Sequence, residues 1–135
     1  MKLIFTSLVK QPNTENVKIE TEIDAECEIY KSPDGIETKA YTFKEPDTNV
    51  STRIEFTNSS LNIFRDAVTL VFKLNKKTYD SSIYNENNQL IPLISILDEI
   101  DFKKNKAAYR LLIQDTNDNE ILLSNCFIEL REKLN

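Results

Sequence analysis

The clearest pattern along the chain is an alternation of apolar and acidic positions over residues 17–30. Apart from Thr21, the odd positions are apolar: Val17, Ile19, Ile23, Ala25, Cys27 and Ile29. Most even positions carry Glu or Asp. Period-two alternation places the two sets on opposite faces of a strand, whereas a helix would spread them around its whole circumference. We therefore predict one long strand with a buried odd face, and its length favours a strongly curved sheet or a barrel.

A turn signal, Ser32-Pro33-Asp34-Gly35, follows this strand. Pro suits the second position of a type I turn, and Gly supplies the left-handed residue that allows the flanking strands to pair. The returning segment, residues 36–45, places Tyr41 and Phe43 on one face. We therefore predict a hairpin over residues 17–45.

Similar alternation continues along the rest of the chain. It predicts a strand at the N-terminus and further strands over residues 50–57, 61–65, 68–74, 78–84, 90–100, 107–114 and 120–131. Residues 92–104 have a helical alternative, because Leu93, Ile96 and Leu97 would share a helix face with Ile100. The β-branched Ile residues favour a strand, and Pro92 indicates an edge position or a bulge within it.

Nine or ten short strands, with turns every 8–12 residues, are typical of an all-β sandwich or barrel. Closure into a barrel removes the two unpaired edges that an open sheet of this size would leave. We therefore predict a closed antiparallel up-and-down barrel of about 8–10 strands, with residues 1–135 as a single domain.

The amino-acid composition excludes several classes of catalytic and binding site. The chain has 135 residues, a net charge of −5, no His and one Gly. Without His, Ser-His-Asp and Cys-His nucleophilic systems are excluded, and one Gly excludes the common phosphate-binding loops. An acidic protein, of pI about 4.8, lacks the basic surface that nucleic acid requires. We expect no enzymatic activity, no cofactor and no nucleic-acid partner.

The chain contains no apolar stretch long enough for a membrane helix. Lys10 interrupts the first apolar run and no small-residue cleavage site follows it, so we expect a cytoplasmic location without membrane contact. Cys27 and Cys126 lie far apart in sequence. Two free thiols are favoured, but the sequence leaves open whether the residues approach closely enough for a disulfide.

Two acidic features are candidate cation sites. The first is the even face of residues 17–30, where carboxylates two positions apart could also flank a glycosidic bond. A solvated outer face, partly neutralised by Lys39 and resistant to edge pairing, is the favoured interpretation. The second is the loop at residues 115–120, which lacks the Gly and the final Glu of a calcium loop and is better interpreted as a hairpin turn. No metal site is expected.

Three segments in this order resemble the YwiB-like family: YTFKE at residues 41–45, TRIEF at 52–56 and LNIFRDAVTLVF at 61–72, followed by a Tyr-bearing strand and an apolar strand. That family comprises small bacterial proteins of unknown function with a calycin-like, lipocalin-type β-barrel. The resemblance implies this barrel and brings no established activity or cofactor. Asp66-Ala67 replaces the family's glycine turn, and residues 85–89 replace a second glycine.

The candidate ligand-binding residues are arginines and tyrosines within strands: Arg65, Arg53, Tyr41, Tyr79 and Tyr84. Arg65 occupies the matched family position, and an arginine in the lumen would anchor a polar head group. The tyrosines, with Tyr109, would present hydroxyl groups to a partly wet lumen. The alternatives are surface ion pairs, such as Arg53 with Glu55, and ordinary packing.

Two functions follow from a barrel. In the first, the lumen binds a small apolar or amphipathic ligand, with walls from the odd face of residues 17–30 and from Phe56, Leu70 and Phe72. In the second, side chains fill the lumen, and an outer face or strand edge binds another protein. A lumen cavity of ~300 Å³ or more, lined by aromatic side chains and one Arg, would favour the first.

Overall fold

The computed structural model describes residues 1–134, which form ten strands and no helix. The strands are β1 (Lys2–Lys10), β2 (Val17–Lys31), β3 (Glu37–Lys44), β4 (Ser51–Phe56), β5 (Ser60–Arg65), β6 (Val68–Lys73), β7 (Lys77–Tyr84), β8 (Leu90–Asp101), β9 (Lys106–Gln114) and β10 (Glu120–Glu132). Each pairs antiparallel with its sequence neighbours, and β10 pairs with β1. The predicted closed up-and-down barrel is therefore confirmed.

The helical alternative for residues 92–104 is wrong, because this region lies mainly in β8. Pro92 pairs with Ser82 of β7, whereas pairing between β8 and β9 begins only at Ile94. The missing N–H of Pro92 therefore costs no bond to β9, which is how an otherwise central strand accommodates proline.

In most hairpin turns, Asn or Asp adopts the left-handed backbone conformation that usually favours glycine. Gly35 has φ of 83°, but seven non-glycine residues also adopt positive φ: Asn13, Asn49, Asp66, Asn75, Asn88, Asn105 and Asp118. Short polar side chains tolerate this left-handed region better than other L-residues do. A chain with a single glycine can therefore build a meander of tight hairpins.

The odd face of β2 is buried only near its middle. Ile23 and Ala25 are each 2% exposed, whereas Val17, Ile19 and Ile29 are at least half exposed. The reason is register, because β2 pairs with β1 over residues 17–24 and with β3 over residues 25–31. Each end of the strand thus has only one neighbour, and the expectation of a continuous buried face is wrong at both ends.

The interior is tightly packed at the end of the barrel that carries the β2–β3, β4–β5, β6–β7 and β8–β9 turns, here called the closed end. Phe56, Leu61 and Phe72 face one another in register across β4, β5 and β6, and each has 0% exposure. Large apolar side chains that pack on one another away from solvent are the normal state of a protein core.

Lys39 lies at this closed end, with its amine bound to the Phe102 carbonyl and, at 2.8 Å, to Asn105 Oδ1. The amine also lies 4.3 Å from the centre of the Phe102 ring, a cation–π contact. Burial lowers its pKa, with nearby acidic groups opposing the shift. The expectation that Lys39 neutralises the acidic outer face is therefore wrong.

Three acidic groups of that outer face instead pair with groups near the two chain termini. Glu20 pairs with Arg131 at 3.0 Å and Glu22 with Lys133 at 2.8 Å, while Asp24 pairs with the N-terminal amine at 3.1 Å. All three pairs are exposed, so each contributes little to stability.

On β6, only Val68 and Thr69 pair directly with β7. Three buried hydroxyl groups replace part of the missing backbone hydrogen bonds between the two strands. Ser81 Oγ accepts a hydrogen bond from Val71 N at 2.8 Å and another from Ser95 Oγ at 2.6 Å, and Thr78 Oγ1 donates to the Val71 carbonyl. These bonds satisfy backbone groups where the register of β7 shifts, which keeps buried polar atoms paired.

The thiols of Cys27 and Cys126 are free. None of the described residues forms a helix with the length and apolar character that crossing a membrane requires.

Candidate functional site

A cavity of about 450 Å³ occupies the other half of the barrel interior and opens at the opposite end, here called the mouth. The β3–β4 loop and the β5–β6 turn lie at this end. Most of the lining is apolar: Phe5, Ile19, Ile23, Phe43, Ile54, Ile63, Val68, Leu70 and Ile128. The volume lies within the range of cavities that bind small molecules, and such cavities are also lined mainly by apolar side chains.

Strand register explains why the cavity forms here. Phe43, Thr52, Arg65 and Val68 lie directly opposite one another on β3, β4, β5 and β6. Directly opposed residues share a face, so this row points into the lumen. Compared with the row of Phe56, Leu61 and Phe72, it contains the smaller Thr and Val, and the lumen is left partly empty.

The rim carries an ion pair between Arg65 and Glu45. Arg65 Nε donates to Glu45 Oε2, and Arg65 Nη2 donates to Glu45 Oε1 at 3.1 Å. Thr52 Oγ1 also donates to Glu45 Oε2, at 2.6 Å. Burial alone would raise the pKa of Glu45, but the bonds from Arg65 and Thr52 outweigh it and the net pKa is lowered. The carboxylate is therefore ionised and held in place.

Further polar groups line the same cavity. Ser7 and Thr21, on β1 and β2, present hydroxyl groups to the lumen, and Asp47 and Thr48 reach it from the β3–β4 loop. Tyr109 forms part of the wall and is 7% exposed; burial, together with Cys126, raises its pKa. The cavity thus combines apolar walls with a few polar groups near its opening.

The mouth continues sideways between β2 and the β3–β4 loop. Over residues 17–24, β2 pairs with β1 but, within residues 1–134, with no strand on its other side. Ile23 and Pro46 line both the cavity and a wider outer groove of about 670 Å³. The groove is lined mainly by charged residues and the N-terminus, so the enclosed apolar cavity is the better candidate site.

Two of the five predicted ligand-binding residues lie inside the barrel. Arg65 lines the cavity at its rim. Tyr41 is 5% exposed and packs edge-on against Phe56, so it lies deeper than the cavity. Burial and the neighbouring Cys27 raise the pKa of Tyr41 to about 12.

The structure does not bring the other three to the cavity. Arg53 pairs with Glu55 at 3.0 Å on the outer wall, as in the alternative interpretation. Tyr79 and Tyr84 are 62% and 50% exposed. Their positions give no support to a role in the lumen.

Sequence reasoning missed Glu45 and Thr52, which complete the rim. A signal for Thr52 was available, because its parity with Ile54 and Phe56 places it on the inner face. Glu45 follows the end of β3, and only the fold of the loop brings it to Arg65, 20 positions away.

The acidic loop at residues 115–120 is a hairpin turn, as predicted. Asp115 Oδ1 accepts the backbone N–H groups of Asn117 at 2.8 Å and Asn119 at 2.9 Å. These bonds lower the pKa of Asp115. In the part of the chain that the structure describes, no group of three Cys, Asp or Glu side chains is placed to hold a metal ion.

Comparison with known proteins supports the fold alone. The chain is similar to the crystal structure of the ywiB protein from Bacillus subtilis, with a TM-score of 0.55 and 15% sequence identity. The similarity covers 98% of this chain and 91% of the other. No family model and no curated protein matches the sequence. The resemblance seen in the sequence is thus confirmed as a shared fold.

Proposed function

We propose that this protein binds a small apolar or amphipathic molecule in the mouth cavity. The observation that carries the proposal is the cavity of about 450 Å³ inside a barrel whose other half contains large, completely buried side chains. An apolar cavity with a few polar groups at its opening favours a ligand that buries its apolar part and leaves a polar head at the rim.

The lip of the mouth adds support. Ile19 lines the cavity and yet is 52% exposed, because β2 extends beyond β3 here and has β1 as its one neighbour. Covering such apolar surface is favourable, by roughly 25 cal/mol per Å². A ligand seated in the cavity would bury the exposed part of Ile19 together with the wall.

The direct test is titration with N-phenyl-1-naphthylamine, a neutral apolar dye whose fluorescence rises on leaving water. We expect saturable binding that Val68→Trp weakens at least about tenfold, because the indole would occupy the cavity beside Arg65. Val71→Trp is the matched control on the same strand, since residue 71 points away from the lumen.

Native mass spectrometry of protein purified from cells, looking for a co-purified small molecule, would support the proposal independently. Protein that is free of ligand in every preparation and shows no saturable dye binding would contradict it. Equal weakening by the two Trp substitutions would place the dye outside the cavity and would contradict it as well.

A second candidate function is binding of an extended segment of another protein. It is favoured by the edge of β2 over residues 17–24, which has no strand partner on one side within the described chain. Such an edge accepts an additional strand through backbone hydrogen bonds. This function does not need the cavity, so Val68→Trp would leave it intact.

A further inference from the structure

We infer that the mouth cavity selects amphiphiles with an uncharged head group that both donates and accepts hydrogen bonds, such as a primary amide or an alcohol, over carboxylates and amines. The inference rests on the proposed function and specifies its ligand class. It follows from the state of the only cation that lines the described cavity, Arg65.

The positive charge of Arg65 is already paired with a carboxylate. Its Nε and Nη2 groups already bind both oxygens of Glu45, and Thr52 holds the same carboxylate. An incoming carboxylate would have to displace Glu45 from both partners or lie beside it. Asp47 also lines the cavity, but it is exposed, so its interaction with either kind of ion is weakened by solvent. The negative charge of Glu45 would destabilise an anion bound beside it.

A cationic head group would also lack an unpaired counter-ion at the rim. The carboxylate of Glu45 is already neutralised by the guanidinium of Arg65, and the positive charge of Arg65 lies at the same rim. A charge brought out of water without its own counter-ion is costly. An ammonium group therefore gains less at this rim than it does in solvent.

A neutral head group can bind beside the ion pair of Arg65 and Glu45 without disturbing it. Nη2 of Arg65 uses one of its two N–H groups on Glu45 Oε1. Within the described residues Oε1 accepts only that bond, whereas Oε2 accepts two. An amide can accept a bond from the second N–H of Nη2 and donate to Oε1 without breaking the ion pair. Charge-assisted hydrogen bonds of this kind are stronger than those between neutral groups.

The test uses four probes that share a ten-carbon chain: decanamide, 1-decanol, decanoate and decylammonium, each displacing N-phenyl-1-naphthylamine near neutral pH. We expect decanamide to bind at least about tenfold more tightly than either ion. The affinity of decanol should lie between that of decanamide and those of the two ions. Decanoate or decylammonium binding as tightly as decanamide would overturn the inference.

Glu45→Gln sharpens the test, because it frees the charge of Arg65 without removing the side chain. We expect this variant to bind decanoate about tenfold more tightly than the native protein does. Glu28→Gln is the matched control, since Glu28 approaches Arg53 on the outer wall, at 3.8 Å. Unchanged decanoate affinity in Glu45→Gln would also overturn the inference.

Arg65→Gln gives an independent second variant, in which decylammonium affinity should rise because Glu45 loses its counter-ion. Failure of this inference differs from failure of the proposed function. If the dye does not bind the native protein, both fall. If the dye binds in the cavity but the ions rank first, only the head-group selectivity is wrong.

Discussion

The two ends of the barrel interior are built from two rows of the same strands, separated by the row of Ile54, Ile63 and Leu70, and they differ in the size of their side chains. At the closed end, Phe56, Leu61 and Phe72 face the lumen and are completely buried. At the mouth, four residues earlier or later on each strand, the row contains Thr52, Arg65 and Val68 and leaves a cavity. The difference shows that this fold does not itself create a pocket; side-chain volume in one row decides it.

The cationic side chains at the two ends of the barrel also differ in how they are bound. The Lys39 amine is held by the Phe102 carbonyl and the Asn105 side chain across the closed end. Arg65 is held to one side by Glu45 of the β3–β4 loop. A cation that bonds across the opening closes it, whereas one that pairs along the rim leaves it open.

The largest expected effect tests whether the closed end is the better-packed half. Phe56→Ala should lower the free energy of unfolding by about 3–5 kcal/mol, because it empties a fully packed site. Phe43→Ala, whose side chain already faces the cavity, should cost about half as much. Urea unfolding of both variants measures the difference. An equal cost for the two would show that the halves are packed alike.

A smaller effect comes from adding volume to β5. Leu61→Phe should destabilise the protein by about 1–3 kcal/mol through overpacking, whereas Ile63→Phe should cost less than about 1 kcal/mol because the ring enters the cavity. Ile63→Phe should at the same time weaken dye binding. Thermal melts and dye titration check both results. A larger cost for Ile63→Phe would mean that no usable space exists beside it.

Much of this architecture could be predicted from residue alternation. Alternation also indicates which face the two predicted arginines occupy. Arg65 shares the inner face with Leu61 and Ile63, whereas Arg53 lies between the inward-facing Thr52 and Ile54 and therefore points outward. Parity gives the direction of a side chain but not the partner strand opposite it.

The rim and the cavity depend on information that no single strand contains. Glu45 reaches Arg65 only through the β3–β4 loop, and the empty volume depends on how several rows align around the closed barrel. The exposed ends of β2 were missed for the same reason, since their burial depends on where β1 and β3 end.

The smallest expected effect is a pH dependence of stability arising from the packed half. Tyr41 has a pKa of about 12, so its neutral form is favoured by folding. Between the unfolded value near 10 and the folded value, the native state binds more protons. This contribution is complete below about pH 10 and is lost as the pH rises toward 12. Tyr109, whose pKa is also raised, acts in the same direction.

Lys39 contributes with the opposite sign, because its pKa is lowered and the unfolded state holds its proton longer. Stability due to Lys39 therefore rises with pH until the unfolded lysine titrates. Above pH 10, we expect the tyrosines to dominate, so that unfolding by urea requires less denaturant at pH 11 than at pH 9. Tyr41→Phe should reduce this difference, whereas Tyr79→Phe, which removes an exposed hydroxyl on the outer wall, should leave it unchanged. If the two substitutions act alike, burial of Tyr41 is not the cause of the alkaline loss.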